Sequence, residues 1–211
     1  MIPAAEVGGD FYDFFMLDED HLGLVIGDVS GKGMASALFM AISRTLLKAI
    51  AYKDFSPAGC LEQVNYLLSQ DNPSCMFVTL FYGVLNLSTG TLHYCNAGHN
   101  FPYLLSSEAE VSALQGSSNI ALGILEDAKF EAHTTQIEAR QQLILYTDGI
   151  TEAVNPQLEE FSEKNLKTYL SACNGTPAEE MIKGLIGAVR QFAAGAPQAD
   201  DITTLTLKRL A

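Results

Sequence analysis

Gly27-Asp28-Val29-Ser30-Gly31-Lys32-Gly33 runs straight out of the apolar stretch Leu22-Gly23-Leu24-Val25-Ile26, and its reading decides the rest. An uninterrupted apolar run of this kind fits a strand buried on both faces. The strand ends on an aspartate, and the glycines behind it leave the backbone free to turn. The segment looks at first like a phosphate-binding P-loop, but the match fails. A P-loop has four residues between its first Gly and the Gly-Lys, followed by Ser or Thr. Here three intervene and Gly33 follows Lys32, so no hydroxyl is placed for Mg²⁺. An aspartate at a strand end suits a metal better, and the next residue can offer its carbonyl to the same ion. The plain alternative is a strand–turn–helix connection.

Three further acidic motifs share this texture: Gly8-Gly9-Asp10 with Asp13 behind it, Thr147-Asp148-Gly149, and Asp200-Asp201-Ile202-Thr203. Mg²⁺ and Mn²⁺ are hard cations that take oxygen ligands and keep several waters. One such motif means little, because Asp-Gly is a common turn dipeptide. Four of them make a divalent-cation site the leading reading. The adjacent carboxylates of Asp200 and Asp201 repel unless solvated or neutralised by a cation, and a solvated loop is the alternative. Asp10 and Asp13, three apart on a strand, point to opposite faces, and Gly9 favours Asp10 as the metal-facing one. His99, between Gly98 and Asn100, reads as a loop-stabilising histidine. Arg44, Arg140, Arg190 and Arg209 are the only arginines, and none adjoins an acidic motif in sequence. A bound phosphate would then be neutralised mainly by cations, with Lys32 as the candidate substrate-binding helper.

The chain has 211 residues, 48% hydrophobic and 18% charged, enough for one well-packed domain. A net charge of −13 argues against nucleic acid or an anionic membrane as partner, and against a metal-dependent nuclease. Cys60, Cys75, Cys95 and Cys173 show neither C-x-x-C spacing nor disulfide-framework density, so they read as buried or idle thiols in a reducing compartment. No apolar run reaches the ~18 residues of a membrane span, and no signal-peptide pattern opens the chain. A cytoplasmic location is expected. The first motif begins within ten residues of Met1, so a domain cut from a longer protein is expected, with a natural start as the alternative.

Residues 10–17 and 21–29 read as a hairpin turning at Asp18-Glu19-Asp20. Residues 34–52 are apolar almost all round, which predicts a helix buried inside the domain. Ser56-Pro57 caps a second helix to about residue 69. Strands are expected at 77–87, 91–96, 101–105, 130–137, 142–147 and 202–207, and helices at 162–173 and 177–194. Strand runs interrupted by helix pairs predict an α+β fold of antiparallel sheets covered by helices.

In this order the motifs resemble those of PPM-type (2C-like) metal-dependent serine/threonine phosphatases, in the bacterial SpoIIE-like and sigma-B-regulator branch. The resemblance rests on residues 3–13, 27–38, Asn96-Ala97-Gly98-His99-Asn100 with Pro102, Leu122-Gly123, residues 146–153 and residues 200–203. It covers essentially the whole chain, residues 1–211, as a single phosphatase domain at the C-terminal part of a longer sensor or response-regulator protein. It implies an α-β-β-α four-layer sandwich of two antiparallel sheets flanked by helix pairs, with two Mn²⁺ or Mg²⁺ ions. Carried over by position, Asp28 would bridge the metals and the Val29 carbonyl would bind one. Asp10, Asp148 and Asp200 would supply further carboxylates, with Asp201 the lesser candidate of its pair. Asp28 and Asp10 would be the catalytic pair in a metal-activated attack of water on phosphorus. The resemblance further implies a phosphorylated regulatory protein as substrate, such as an anti-sigma-factor antagonist, an upstream sensor or receiver domain, and a homodimer as an open assembly. The helix pair within residues 34–69 is where such relatives switch. The competing reading is a catalytically weak or inactive phosphatase-fold module that binds a partner in bacterial signalling.

Overall fold

The computed structural model describes residues 1–70, 72–116 and 119–210. The chain folds into two compact units, each built from discontinuous stretches. One contains Ala5–His99 and Gln115–Gln136; the other contains Met1–Ala4, Asn100–Leu114 and Ile137–Ala211.

The first unit holds a five-stranded antiparallel sheet. Its strands are β1 (Phe11–Met16), β2 (His21–Val29), β3 (Val78–Asn86), β4 (Thr91–Ala97) and β7 (His133–Gln136), in the order β1-β2-β3-β4-β7. The predicted β1–β2 hairpin is present, its turn closed by Asp18 Oδ1, which accepts from the Asp20 and His21 amides at 2.8 and 2.7 Å. Register places Phe11 opposite Gly27 and Phe15 opposite Gly23. Each aromatic ring lies over its glycine, so a β-carbon on Gly27 would come within 2.8 Å of the Phe11 ring. Large-on-small pairing of this kind fixes the register through side-chain fit.

Helices α1 (Met34–Ala51) and α2 (Pro57–Gln70) pack on this sheet. Leu47, Ala51, Cys60, Leu61, Val64 and Leu68 join Val25, Leu80, Tyr82 and Cys95 in one core. Ser56 caps α2 as the sequence predicts, its Oγ accepting from the Gly59 amide at 3.2 Å. α1 departs from its reading. Only Ser36, Ser43, Leu47 and Ala51 are buried, while Met34, Leu38 and Ile42 lie open at 67%, 58% and 52% exposure. A sheet covers one side of a helix, and apolar residues all round do not put a second layer on the other. Contrary to the run-length reading, this 18-residue helix is also long and apolar enough, by length and composition alone, to cross a membrane. That test is passed as readily by a core helix, and here Leu47 sits at zero exposure in the sheet core.

The second unit holds a four-stranded antiparallel sheet in the order β6-β5-β8-β9. Its strands are β5 (Tyr103–Leu105), β6 (Val111–Ala113), β8 (Gln142–Tyr146) and β9 (Thr204–Lys208). A short helix, α3 (Asp148–Thr151), follows β8, and α4 (Ser162–Ala172) and α5 (Ala178–Ala193) complete the unit. Leu166, Leu170, Met181, Leu185 and Val189 close on Ile144, Tyr146 and Ile150. The Tyr103 and Tyr146 rings stack 5.7 Å apart and 5° from parallel. The fold is therefore α+β, two antiparallel sheets each with its helix pair, as expected. β6 and α3 were not legible in the sequence.

Candidate metal and phosphate site

In the first unit, β2 delivers Asp28 and Val29 at its end, and the segment before β1 delivers Asp10. Asp10 is buried, at 1% exposure, whereas Asp28 is half-buried. Gly9 explains how the Asp10 segment reaches this place. A β-carbon there would collide with Ser36 Oγ and stand 3.0 Å from the Val29 carbonyl oxygen. Only glycine lets these backbones lie so close. Ser36 Oγ in turn donates to the Val29 carbonyl at 3.2 Å, which ties the first turn of α1 to the strand end.

Asp28 pairs across the ladder with Thr79 of β3. Thr79 Oγ1 donates to the Asp28 carbonyl at 3.4 Å and lies 2.9 Å from His99 Nδ1. Ser30 is engaged with Phe77: its amide donates to the Phe77 carbonyl at 2.9 Å, and its Oγ accepts from the Phe77 amide at 3.0 Å. Lys32 is exposed, between Gly31 and Gly33 with φ of 82° and 84°. A β-carbon at either glycine would meet nothing within 4 Å, so the loop is open at both glycines.

Asp13 is not free for a cation. Arg44 donates to its Oδ2 at 2.8 Å and Lys48 at 3.2 Å, and the Lys48 ammonium also sits 4.8 Å from the Phe15 ring centre. Arg44, which adjoins no acidic motif in sequence, thus pairs with one in space. Asp13 anchors α1 to β1.

In the second unit, Asp148 is the first residue of α3, where a carboxylate meets the positive end of the backbone dipoles. Thr147 is fully buried and clamps the closing segment. Its amide donates to the Thr203 carbonyl at 3.0 Å, and its Oγ1 accepts from the Thr203 amide at 3.1 Å. Burial pushes the phenol of the preceding Tyr146 up to about 12, so it stays neutral. Asp200 and Asp201 differ in kind. Asp201 is 7% exposed, and its Oδ1 accepts from the Ala4 amide at 2.8 Å. Asp200 is half-buried, and its Oδ1 accepts from the Asp201 amide at 2.8 Å.

All the candidate donors are oxygens, the chemistry that Mg²⁺ and Mn²⁺ require. Gly9 and Gly149 also bring backbone against the carboxylate-bearing segments more closely than any other residue would allow, so the residues present fit such ions. Among the described residues, no three His, Cys, Asp or Glu side chains form a ready-made cluster. Of the supporting groups, Thr79 lies outside every motif read from the sequence; Ala4, Ser36 and Thr147 lie inside motifs, but their roles, played through an amide or a hydroxyl, are not legible there.

The family described as Stage II sporulation protein E (SpoIIE) matches residues 18–210. Protein IcfG of Synechocystis sp. is 34% identical over 98% of the chain, and the phosphoserine phosphatase RsbU of Bacillus subtilis is 25% identical over 99%. The chain spans 37% of the length of the first relative and 61% of the second. Among solved structures, the SiaA-PP2C domain of Pseudomonas aeruginosa matches 98% of this chain and 83% of its own, with a TM-score of 0.88 at 20% identity. The RsbU and RsbW domains of Rv1364c from Mycobacterium tuberculosis match 99% of this chain and 61% of their own, with a TM-score of 0.82 at 25% identity.

Proposed function

Since this chain belongs to the SpoIIE family of PP2C-type phosphatases, we propose that it removes phosphate from phosphoserine or phosphothreonine on a regulatory protein. The observation that carries this reading is the persistence of every expected oxygen donor. Asp10, Asp28 and the Val29 carbonyl stand in one unit, and Asp148 and Asp200 in the other. Asp10, Asp28 and the Val29 carbonyl would offer oxygen ligands to Mn²⁺ or Mg²⁺ in the one unit, and Asp148 and Asp200 would do so in the other. Asp201, whose carboxylate already serves the Ala4 amide, would support Asp200. Such ions, when bound, lower the pKa of a coordinated water and offset charge on the phosphoryl oxygens.

The protein's own groups set the rest. The Asp10 and Asp28 carboxylates orient the attacking water, and Asp28 keeps its place because its carbonyl is held by Thr79. Lys32 meets the phosphate from an open loop as a point charge. Arg44 is committed to Asp13 and supplies no clamp. The substrate would be a small phosphoprotein of the anti-sigma-factor-antagonist class, met in the cytoplasm. A sensor or receiver segment of a longer protein would control the domain, which agrees with the partial coverage of its relatives.

The alternative is a binding module of the same fold with little catalysis. Hydrolysis of p-nitrophenyl phosphate with and without Mn²⁺, in wild type, Asp28→Ala and Asp148→Ala, decides between them. Mn²⁺-dependent turnover lost in both variants is expected. A wild type that neither turns over at millimolar Mn²⁺ nor binds it by calorimetry would falsify the catalytic reading.

A further inference from the structure

Behind Asp28 runs a polar chain, buried Asn96 and His99 and half-buried Thr79, that no ligand assignment uses. Thr79 and Asp28 face each other across β2 and β3. Thr79 Oγ1 stands 3.4 Å from the Asp28 carbonyl and 2.9 Å from His99 Nδ1, and its hydroxyl carries one proton. With the ring hydrogen of His99 on Nδ1, Thr79 accepts from the histidine and keeps its own proton for the Asp28 carbonyl; that tautomer is part of the proposal below. The ring has little room to swing, because His99 is 4% exposed and Asn96 is 1% exposed. The Asn96 side chain holds the His99 backbone at both ends: Oδ1 accepts from its amide at 2.7 Å, and Nδ2 donates to its carbonyl at 2.9 Å. Gly98, at φ 72°, is the left-handed residue that folds the chain back far enough for this bracket to close.

We infer that His99 is a positioning residue: acting through Thr79, it fixes the peptide that joins Asp28 to Val29. The inference rests on the metal reading above. The Asp28 carboxylate and the Val29 carbonyl branch from either side of that peptide, so its rotation would move both donors at once. The Val29 carbonyl is braced separately by Ser36 Oγ. Thr79 is then the brace that holds the Asp28 side, and His99 keeps the threonine hydroxyl pointed at its target. Outer partners of this type typically change metal affinity by roughly 10- to 100-fold.

The test is Mn²⁺ affinity of the full chain by calorimetry, without substrate, in wild type, His99→Asn, His99→Gln, Thr79→Val and the Thr79→Val/His99→Gln pair. An asparagine amide nitrogen stands where Nδ1 does, whereas the glutamine amide reaches the position of the other ring nitrogen. His99→Asn is expected within about threefold of wild type, and His99→Gln and Thr79→Val weaker by roughly 10- to 100-fold. The double variant should bind no more weakly than either single, because both break one chain. A simple loss of packing would not separate Asn from Gln in this way. Should His99→Gln fail to fold, Thr79→Val, which keeps the side-chain shape, carries the test. The inference is overturned if wild type binds Mn²⁺ and Thr79→Val binds it equally well, or if His99→Asn is as weak as His99→Gln. A wild type that binds no Mn²⁺ defeats the metal reading itself, a different and distinguishable result.

Discussion

A β-carbon on Gly149 would run into the carbonyl oxygen of Asp201. The start of α3 and the segment bearing Asp200 and Asp201 thus share a space that only hydrogen fits. Gly149→Ala must push the two apart, at a cost of about 1–3 kcal/mol for an overpacked site, and Mn²⁺ binding should weaken with it. Gly187 in α5 is the control, since a β-carbon there meets nothing within 4 Å. Gly187→Ala should stabilise by about 0.5–1 kcal/mol. Urea melts of both variants read the difference, and equal midpoints would refute the packing claim.

Asp13 and Asp10 should separate cleanly on substitution. Asp13 takes both Arg44 and Lys48, at a site where the two cations stay part-exposed. Asp13→Ala should therefore cost roughly 1 kcal/mol of stability and leave Mn²⁺ affinity unchanged. Asp10→Asn, at a fully buried carboxylate of the proposed centre, should cost Mn²⁺ affinity instead. Thermal melts beside calorimetry distinguish the two, and a large affinity loss in Asp13→Ala would show that it ligates.

The two faces of α1 predict opposite tolerances. Leu38 is 58% exposed and Leu47 wholly buried. Leu38→Glu should shift stability by no more than about 0.5 kcal/mol, while Leu47→Ala should lose about 2–5 kcal/mol. Comparable losses in the two would mean that the outer face is covered.

Stability should fall in alkali. Burial pushes the thiols of Cys60 and Cys95 up to about 12 from an ordinary 9.0, and the Tyr146 phenol up to about 12 from 10.0. The folded state holds these protons more tightly than the unfolded chain does. Their contribution is therefore full below about pH 9 and is lost as pH climbs toward 12, at up to roughly 1.4 kcal/mol per pH unit for each group. Urea midpoints that stay flat from pH 8.5 to 10.5 would contradict this. At pH 8 an aromatic disulfide reagent should titrate one thiol promptly, that of exposed Cys75, and the buried Cys60, Cys95 and Cys173 only in denaturant.

Leu158 sits at φ 62° with 81% of its surface open. It bears the left-handed strain of a branched residue and gains no burial for it. Leu158→Gly should raise stability by about 1 kcal/mol; a lower melting temperature would mean that the side chain packs after all.

Local features were legible in the sequence because they are fixed by neighbours. The β1–β2 hairpin follows from the apolar run ending at Gly27 and the acidic turn at Asp18, and α2 from Ser56-Pro57. The elements missed, β6 and α3, are three and four residues long, shorter than any hydrophobic period can register. The burial of α1 was overread because composition does not say how many sides of a helix are covered. Partnerships between distant residues were beyond reach: Arg44 with Asp13, 31 residues apart, and Ala4 with Asp201, 197 apart. His99 reads from the sequence as a loop-stabilising histidine, and its link toward Asp28 through Thr79 exists only across a strand pair.

The interleaving of the two units gives protein synthesis a fixed order of events. Once Gln136 has been added, every strand of the five-stranded sheet has been made, along with Asp10 and Asp28. Asp148 and Asp200 are still untranslated. A polypeptide that ends in between carries Asp10 and Asp28 and lacks Asp148 and Asp200 of the proposed ligand set.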